Sequence, residues 1–181
     1  MKGIQTSSFK YVVGWIVVFA FRLIPFRPPN VEPVMATLMP FSKRYTALES
    51  FLFAFFSIFL FDIITSGIGS WTWVTAFVYG FLGIASYYFF KNRSASRTNF
   101  VMFGIVGAIL YDAATGLTIG PIFNGQPFMI ALIGQIPFTL NHILGNIIFG
   151  AILSPLVYRW IVTNQKLEFN FIRNKLAAKS I

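Results

Sequence analysis

The sequence predicts an all-α membrane protein with six transmembrane helices and both termini cytoplasmic. Three observations lead there. The 181 residues are 56% hydrophobic and only 10% charged, where soluble domains carry about 25% charge. Mean hydropathy is +0.72. At ~20 apolar residues per span, the length allows about six helices with short loops and leaves no room for a soluble catalytic domain. The third observation is how the charges divide along the chain, taken up below.

Residues 1–10 read as a polar, basic N-terminus, 11–162 as the membrane domain and 163–181 as a basic tail. Tyr11 to Pro25 is the first apolar run. It flows into Arg22, Arg27, Pro28 and Pro29 without a small-residue cleavage site, so no cleavable signal is expected. Val31 to Phe41 is a short run containing Pro33 and Pro40. Its eleven or so residues make a helix of roughly 17 Å, too short to cross alone. It therefore needs an extended entry or neighbours that shield its backbone. Thr46 to Ser66 is a clear span, Gly67 to Ser70 a turn, and Trp71 to Phe90 the next span. Lys91 to Arg97 is a basic loop and Asn99 to Leu117 a further span. Thr118 to Pro127 is an uncharged loop. Phe128 to Val162 exceeds one span, and Gly134 to Pro137 divides it into a short outer segment and a helix from about Phe138 to Trp160.

With six crossings, Lys2, Lys10, Lys43, Arg44, Lys91, Arg93, Arg97, Arg159, Lys166, Arg173, Lys175 and Lys179 share one side, and only Arg22 and Arg27 take the other. The rich side is then cytoplasmic. This asymmetry explains the net charge of +9 without a nucleic-acid partner. If the short second run did not cross, the basic loops would split between the faces.

Polar groups gather at the other, outer ends of the spans. Asp62 and Asp112 lie one to one and a half turns below the outer ends of the third and fifth spans, and Asn141 and His142 a turn into the sixth. Trp71 and Trp73 open the fourth; Arg22, Asn30 and Glu32 stand where the first two meet; Asn124 and Gln126 are in the outer loop. Gln135, Thr139, His142 and Asn146 form one polar helical stripe in an apolar run. Such groups need partners, water or a ligand. The inner halves are nearly featureless apart from their polar ends, which argues against a continuous ion path. A one-sided polar cavity with aromatic walls suits a small ligand. The candidate ligand-contacting residues are Asp62, Trp71, Trp73, Asp112, Asn124, Gln126, Gln135, Asn141 and His142.

Five of these have a structural alternative. Asp62 and Asp112 read equally as ion-pair partners of Arg22, His142 as a neutral histidine bonded between helices, and the tryptophans as an interfacial belt. Gly104, Ala108, Asp112 and Thr115 share a small-residue face on the fifth span, and Gly80 and Gly83 do similar work on the fourth, chiefly for packing between helices. There is no cysteine and one histidine, so no disulfide and no dedicated metal site are expected. No phosphate-binding Gly-Lys-Ser/Thr loop, Gly-x-Ser-x-Gly or His-Glu-x-x-His occurs. The nearest catalytic constellation is Asp112 orienting His142 as a base, without an identified nucleophile. Neither enzymatic activity nor a cofactor is expected.

Several blocks in order resemble a known family. Pro29-Asn30-Val31-Glu32-Pro33-Val34-Met35-Ala36 follows an arginine-containing first helix. Ile68-Gly69-Ser70-Trp71-Thr72-Trp73 precedes Tyr79-Gly80-Phe81-Leu82-Gly83. Pro137-Phe138, Asn141-His142, Gly145-Asn146 and Ser154-Pro155 mark the last helix. Over Tyr11 to Val162 this resembles the S components of energy-coupling factor (ECF) transporters, the membrane subunits that bind substrate. The resemblance implies an S-component-like bundle in a prokaryotic plasma membrane that binds a vitamin-like micronutrient, with a corrinoid as the first guess. It also implies a transmembrane coupling subunit and two cytoplasmic ATPases as partners. The first helix departs from the family's small-residue docking face, reading Val12-Val13-Gly14-Trp15-Ile16-Val17-Val18-Phe19-Ala20. The alternative is a structural membrane scaffold or cell-shape protein without a ligand. It would have a filled outer half and Arg22, Asp62 and Asp112 mutually paired.

Overall fold

The structure is a computed structural model that describes residues 8–26, 31–168 and Phe171. The expectations resting on Lys2, Arg27, Pro28, Pro29, Asn30, Arg173, Lys175 and Lys179 lie outside the described residues. Among these the chain is all-helical: α1 (Ser8–Arg22), α2 (Val34–Arg44), α3 (Ala47–Thr65), α4 (Ser70–Lys91), α5 (Arg97–Thr118) and α6 (Phe128–Val157). Wider π-helical turns, Ile119–Phe123 and Tyr158–Val162, extend α5 and α6. Four helical segments are long and apolar enough to cross a membrane: Ala47–Thr65, Ser70–Lys91, Arg97–Phe123 and Phe128–Val162. Large apolar side chains such as Ile16, Phe81, Val106, Leu144 and Ile152 face outward, the surface expected of a bundle solvated by lipid rather than water.

Local chemistry sets the ends. Thr46 and Glu49 cap α3 reciprocally, the Glu49 backbone N–H donating to Thr46 Oγ1 and the Thr46 N–H to Glu49 Oε2. Past the end of α3, Gly67 adopts φ 77° and its N–H donates to the Asp62 carbonyl at 2.7 Å, a left-handed stop that glycine makes without steric cost. Ser96 caps α5 by accepting the Asn99 N–H.

Helices consecutive along the chain run antiparallel. At one end, Lys10 at the start of α1 donates to the Val162 carbonyl and pairs with Glu168. At the same end, Lys43 closing α2 donates to the Phe90 carbonyl in the last turn of α4 and to the Arg93 carbonyl just past it. At the other end, Arg22 of α1 meets Glu32 and the Phe61 ring, and Asp62 of α3 meets Thr72 of α4. The close approach of Gly104 to Asn146 and of Gly150 to Phe100 aligns α5 against α6. Lys10, Lys43, Arg44, Lys91, Arg93, Arg97, Arg159 and Lys166 thus mark one end of the bundle, and Arg22 stands at the other.

α2 is the axis. Val34 through Ser42 are all buried, against α3, α4, α5 and α6. This total burial meets the shielding that its short length required. Pro40 removes the N–H that would bond the Ala36 carbonyl. The Ser154 hydroxyl of α6 donates to that carbonyl instead, at 2.8 Å. At the basic end the Phe41 ring stacks on Phe53 at 4.3 Å and on Tyr11 and Tyr45. The glycines expected to serve close packing do so: a Cβ on Gly83 would fall 2.4 Å from the Ser50 carbonyl oxygen, and one on Gly80 against the Phe51 ring.

Two expectations need correction. α6 does not break at Gly134 to Pro137; it runs unbroken over 30 residues through both Pro137 and Pro155. The anticipated loop from Thr118 is also shorter, because helical turns continue to Phe123. Without water to offer the freed carbonyl a replacement bond, an apolar chain keeps the helix across a proline.

Candidate functional site

The polar residues of the non-basic end enclose a chamber of about 130 Å3, lined by Arg22, Glu32, Ile58, Asp62, Trp71, Thr75, Tyr79, Tyr111 and His142. All five long helices and the segment entering α2 contribute. On α3, Ile58 and Asp62 are one turn apart; on α4, Trp71, Thr75 and Tyr79 repeat every four residues, which puts each set on one inward stripe. α2 starts only at Val34, so its helix stops short of this end and leaves the axis to side chains.

The deepest feature is a pair between α5 and α6. His142 Nδ1 lies 3.0 Å from Asp112 Oδ1, with the side chains 2% and 1% exposed. A carboxylate accepts, so Nδ1–H is the donor in this bond. Nε2 and Asp112 Oδ2 are both buried without a hydrogen-bond partner among the described residues. The ring stands edge-on to Tyr111, centroids 5.5 Å apart, and Tyr111 packs on Tyr79 at 4.4 Å. Asn146 continues the stripe, its amide donating to the His142 carbonyl at 2.9 Å.

The second carboxylate is held differently. Asp62 Oδ2 accepts the Thr72 hydroxyl at 2.7 Å. Arg22 Nη2 lies 3.6 Å from Glu32 Oε1, and its guanidinium covers the Phe61 ring at 3.9 Å. The three charges Arg22, Asp62 and Asp112 thus each have a separate partner and are not bonded to one another.

Of the candidates from sequence, Asp62, Trp71 and His142 line the chamber, with Asp112 directly behind His142. Trp71 is about half exposed at the rim. Trp73 points outward, against Phe59 and Phe77, as an interfacial belt residue would. Asn124, Gln126 and Asn141 are exposed and away from the chamber lining. Gln135 is half-buried higher on α6, where its amide reaches Thr139 at 3.4 Å and packs against Gly116. Arg22 and Glu32 belong to the lining although the sequence reading placed them only at a helix junction, and Thr75, Tyr79 and Tyr111 were missed. The four-residue repeat Trp71-Thr75-Tyr79 was the available signal for two of these.

A second cavity, about 300 Å3, lies between α1 and α3 at the basic end and is walled by Tyr11, Val12, Trp15, Leu52, Phe53 and Phe56, with Glu49 at its edge. It is almost wholly apolar and lacks the convergent polar groups of a solute site. Among the described residues no group of three His, Cys, Asp or Glu side chains converges to hold a metal ion. Comparison with family models, curated proteins and solved structures returned no match.

Proposed function

We propose that this chain is the substrate-binding membrane subunit of an uptake transporter, with the chamber as its ligand site. The observation that carries this reading is the chamber itself. It gathers charged, hydroxylic and aromatic side chains from α1, α3, α4, α5 and α6 at one end of an otherwise apolar bundle. A structural scaffold would fill that space and pair Arg22, Asp62 and Asp112 together, and they are not so paired. In this reading six helices cross the plasma membrane of a prokaryote. The basic end is cytoplasmic by the positive-inside rule and the chamber faces outward. The resemblance to ECF S components supplies the rest: an ATP-driven module of a transmembrane coupling subunit and two ATPases. At about 130 Å3 the chamber is smaller than the roughly 300–1,000 Å3 pockets that drug-sized ligands use, which favours a compact ligand over a corrinoid.

Native mass spectrometry of protein purified from its own membranes tests the reading. One bound small molecule is expected, and its loss in His142→Ala. Protein that carries no molecule under any growth condition, and takes none from a cell extract, overturns it. The chain has no cysteine, so sidedness is tested directly. Trp71→Cys is expected to react with an impermeant maleimide on intact cells and Arg93→Cys only after permeabilisation; the reverse pattern refutes the orientation.

A further inference from the structure

We infer that the chamber selects a small monocarboxylate, an anionic head on a compact apolar body, and that Arg22 receives the carboxylate. This rests on the chamber being a ligand site and names the class of ligand.

The first argument is the guanidinium. Arg22 lines the chamber, and its side chain is 11% exposed. A guanidinium stays charged in proteins and carries five N–H donors. Nε and Nη1 are buried and without a hydrogen-bond partner among the described residues. Nη2 stands 3.6 Å from Glu32 Oε1, an ion pair that is too long for a hydrogen bond. The Phe61 ring lies 3.9 Å beneath the group, a contact with its face that uses none of its donors. Burying a charge with its donors unmet is costly. A carboxylate supplies the missing acceptors, and its plane matches the planar fork of the guanidinium.

The second argument is the other donors. Tyr79 and Tyr111 also line the chamber, and neither hydroxyl donates to an acceptor among the described residues. A phenol ordinarily keeps its proton near neutral pH, so each still has one to give. Unused donors thus come from α1, α4 and α5 together. The third argument is the body of the ligand. Ile58, Trp71 and the two tyrosine rings give the chamber an apolar wall. A single guanidinium balances one negative charge, and a dianion would bring a second one unmatched into a buried site.

The carboxylates of the site oppose an anion, yet none holds Arg22 by a hydrogen bond. Asp62 accepts the Thr72 hydroxyl, Asp112 is bonded to His142, and Glu32 is engaged elsewhere as well as standing near Arg22. A ligand therefore reaches the guanidinium without breaking a hydrogen bond to it. Neutralising one of these carboxylates should strengthen the binding.

Butyrate, butanol and butylammonium share an apolar body and differ in charge. Their binding to the full chain in lipid nanodiscs is measured by saturation-transfer NMR, with empty nanodiscs subtracted for partitioning. Butyrate is expected to bind at least about tenfold more tightly than butanol, with butylammonium weakest. Arg22→Gln is expected to weaken butyrate about tenfold and leave butanol unchanged. Asp62→Asn keeps an acceptor for Thr72 and is expected to strengthen butyrate, a gain that misfolding cannot mimic. Butylammonium binding best, equal binding of all three, or no effect of Arg22→Gln in folded protein overturns the inference. Inorganic phosphate displacing butyrate as well as unlabelled butyrate does overturns the monocarboxylate class. If Arg22→Gln fails to fold, the wild-type series and Asp62→Asn decide. If none of the three binds, the carboxylate class is wrong. A co-purified molecule of another class in the mass spectrum would then leave the chamber standing as a ligand site.

Discussion

Removing His142 should destabilise the bundle more than neutralising its partner does. The two side chains are buried and 3.0 Å apart, and Asp112 Oδ2 has no partner among the described residues. In His142→Ala the carboxylate loses its only side-chain bond among these residues and stays buried. Breaking one side of a buried pair costs about 3–5 kcal/mol in soluble proteins. Two effects lower that figure here. Polar contacts between membrane helices measure about 0.6 kcal/mol on average and about 1.7 at most, because separated helices find other partners. The stranded carboxylate also escapes part of the penalty by taking up a proton. About 2–3 kcal/mol remains. Asp112→Asn keeps an acceptor within reach of the Nδ1 proton and loses only the charge assistance, about 1 kcal/mol. The double variant should recover part of the His142→Ala loss, since a stranded amide costs less than a stranded charge. Reversible unfolding in mixed micelles, followed by the fluorescence of the four tryptophans, measures all three. If His142→Ala costs no more than Asp112→Asn, or if the two losses simply add, the residues do not act as a pair.

Three further variants test the packing in the same assay. Ser154→Ala should cost about 1–3 kcal/mol by stranding the buried Ala36 carbonyl; adding Pro40→Ala, which restores a backbone N–H to that carbonyl, should recover much of it. Gly83→Ala, whose Cβ would fall 2.4 Å from the Ser50 oxygen, should cost about 1–3 kcal/mol by forcing α3 from α4. Gly134→Ala has nothing within 4 Å and should be neutral or stabilising by up to about 1 kcal/mol. Lys10→Met removes the bonds to Val162 and Glu168, and limited proteolysis should show faster cleavage beyond Val162 with the membrane core intact.

The helices were readable because they are set by run length and local chemistry. Thr46 and Glu49 announce the start of α3, Ser96 that of α5, and the shortness of α2 is plain from Pro33, Pro40 and Lys43. The inward stripe of His142 and Asn146 also follows from spacing alone. What spacing could not supply was the partner across the gap. Asp112 and Asp62 each had Arg22 as an equally good sequence-level partner, and only the packing of α5 on α6 and of α3 on α4 assigns them to His142 and Thr72. Pro137 misled for a different reason. The rule that proline ends a helix reflects competition from water, and that competition is absent on an apolar surface. Tyr79 and Tyr111 were hidden because aromatic residues are everywhere in this chain, 19% of it, so one more carries little information.

The chamber follows from the length of α2 more than from the residues that line it. An 11-residue helix is about 16 Å long, whereas the 19 and 22 residues of α3 and α4 reach about 28 and 33 Å. A bundle built around a core helix half the length of its neighbours must leave part of its axis without backbone. At the basic end α2 fills the axis: Lys43 closes α4, and the rings of Phe41, Tyr11, Tyr45 and Phe53 stack around it. The unfilled end is therefore the other one, and side chains must occupy it. Arg22, Glu32, Asp62 and His142 all sit there, because it is the one level where the interior is not already occupied by α2 and its apolar contacts. The Ser154 bond to Ala36 and the complete burial of Val34 to Ser42 hold α2 at that depth. A helix free to slide by one turn would move about 5.4 Å, enough to close a chamber of this size. The polar residues at the non-basic end and the proline-containing central helix are thus one architectural solution, in which the shortness of α2 makes the space and Ser154 keeps it open.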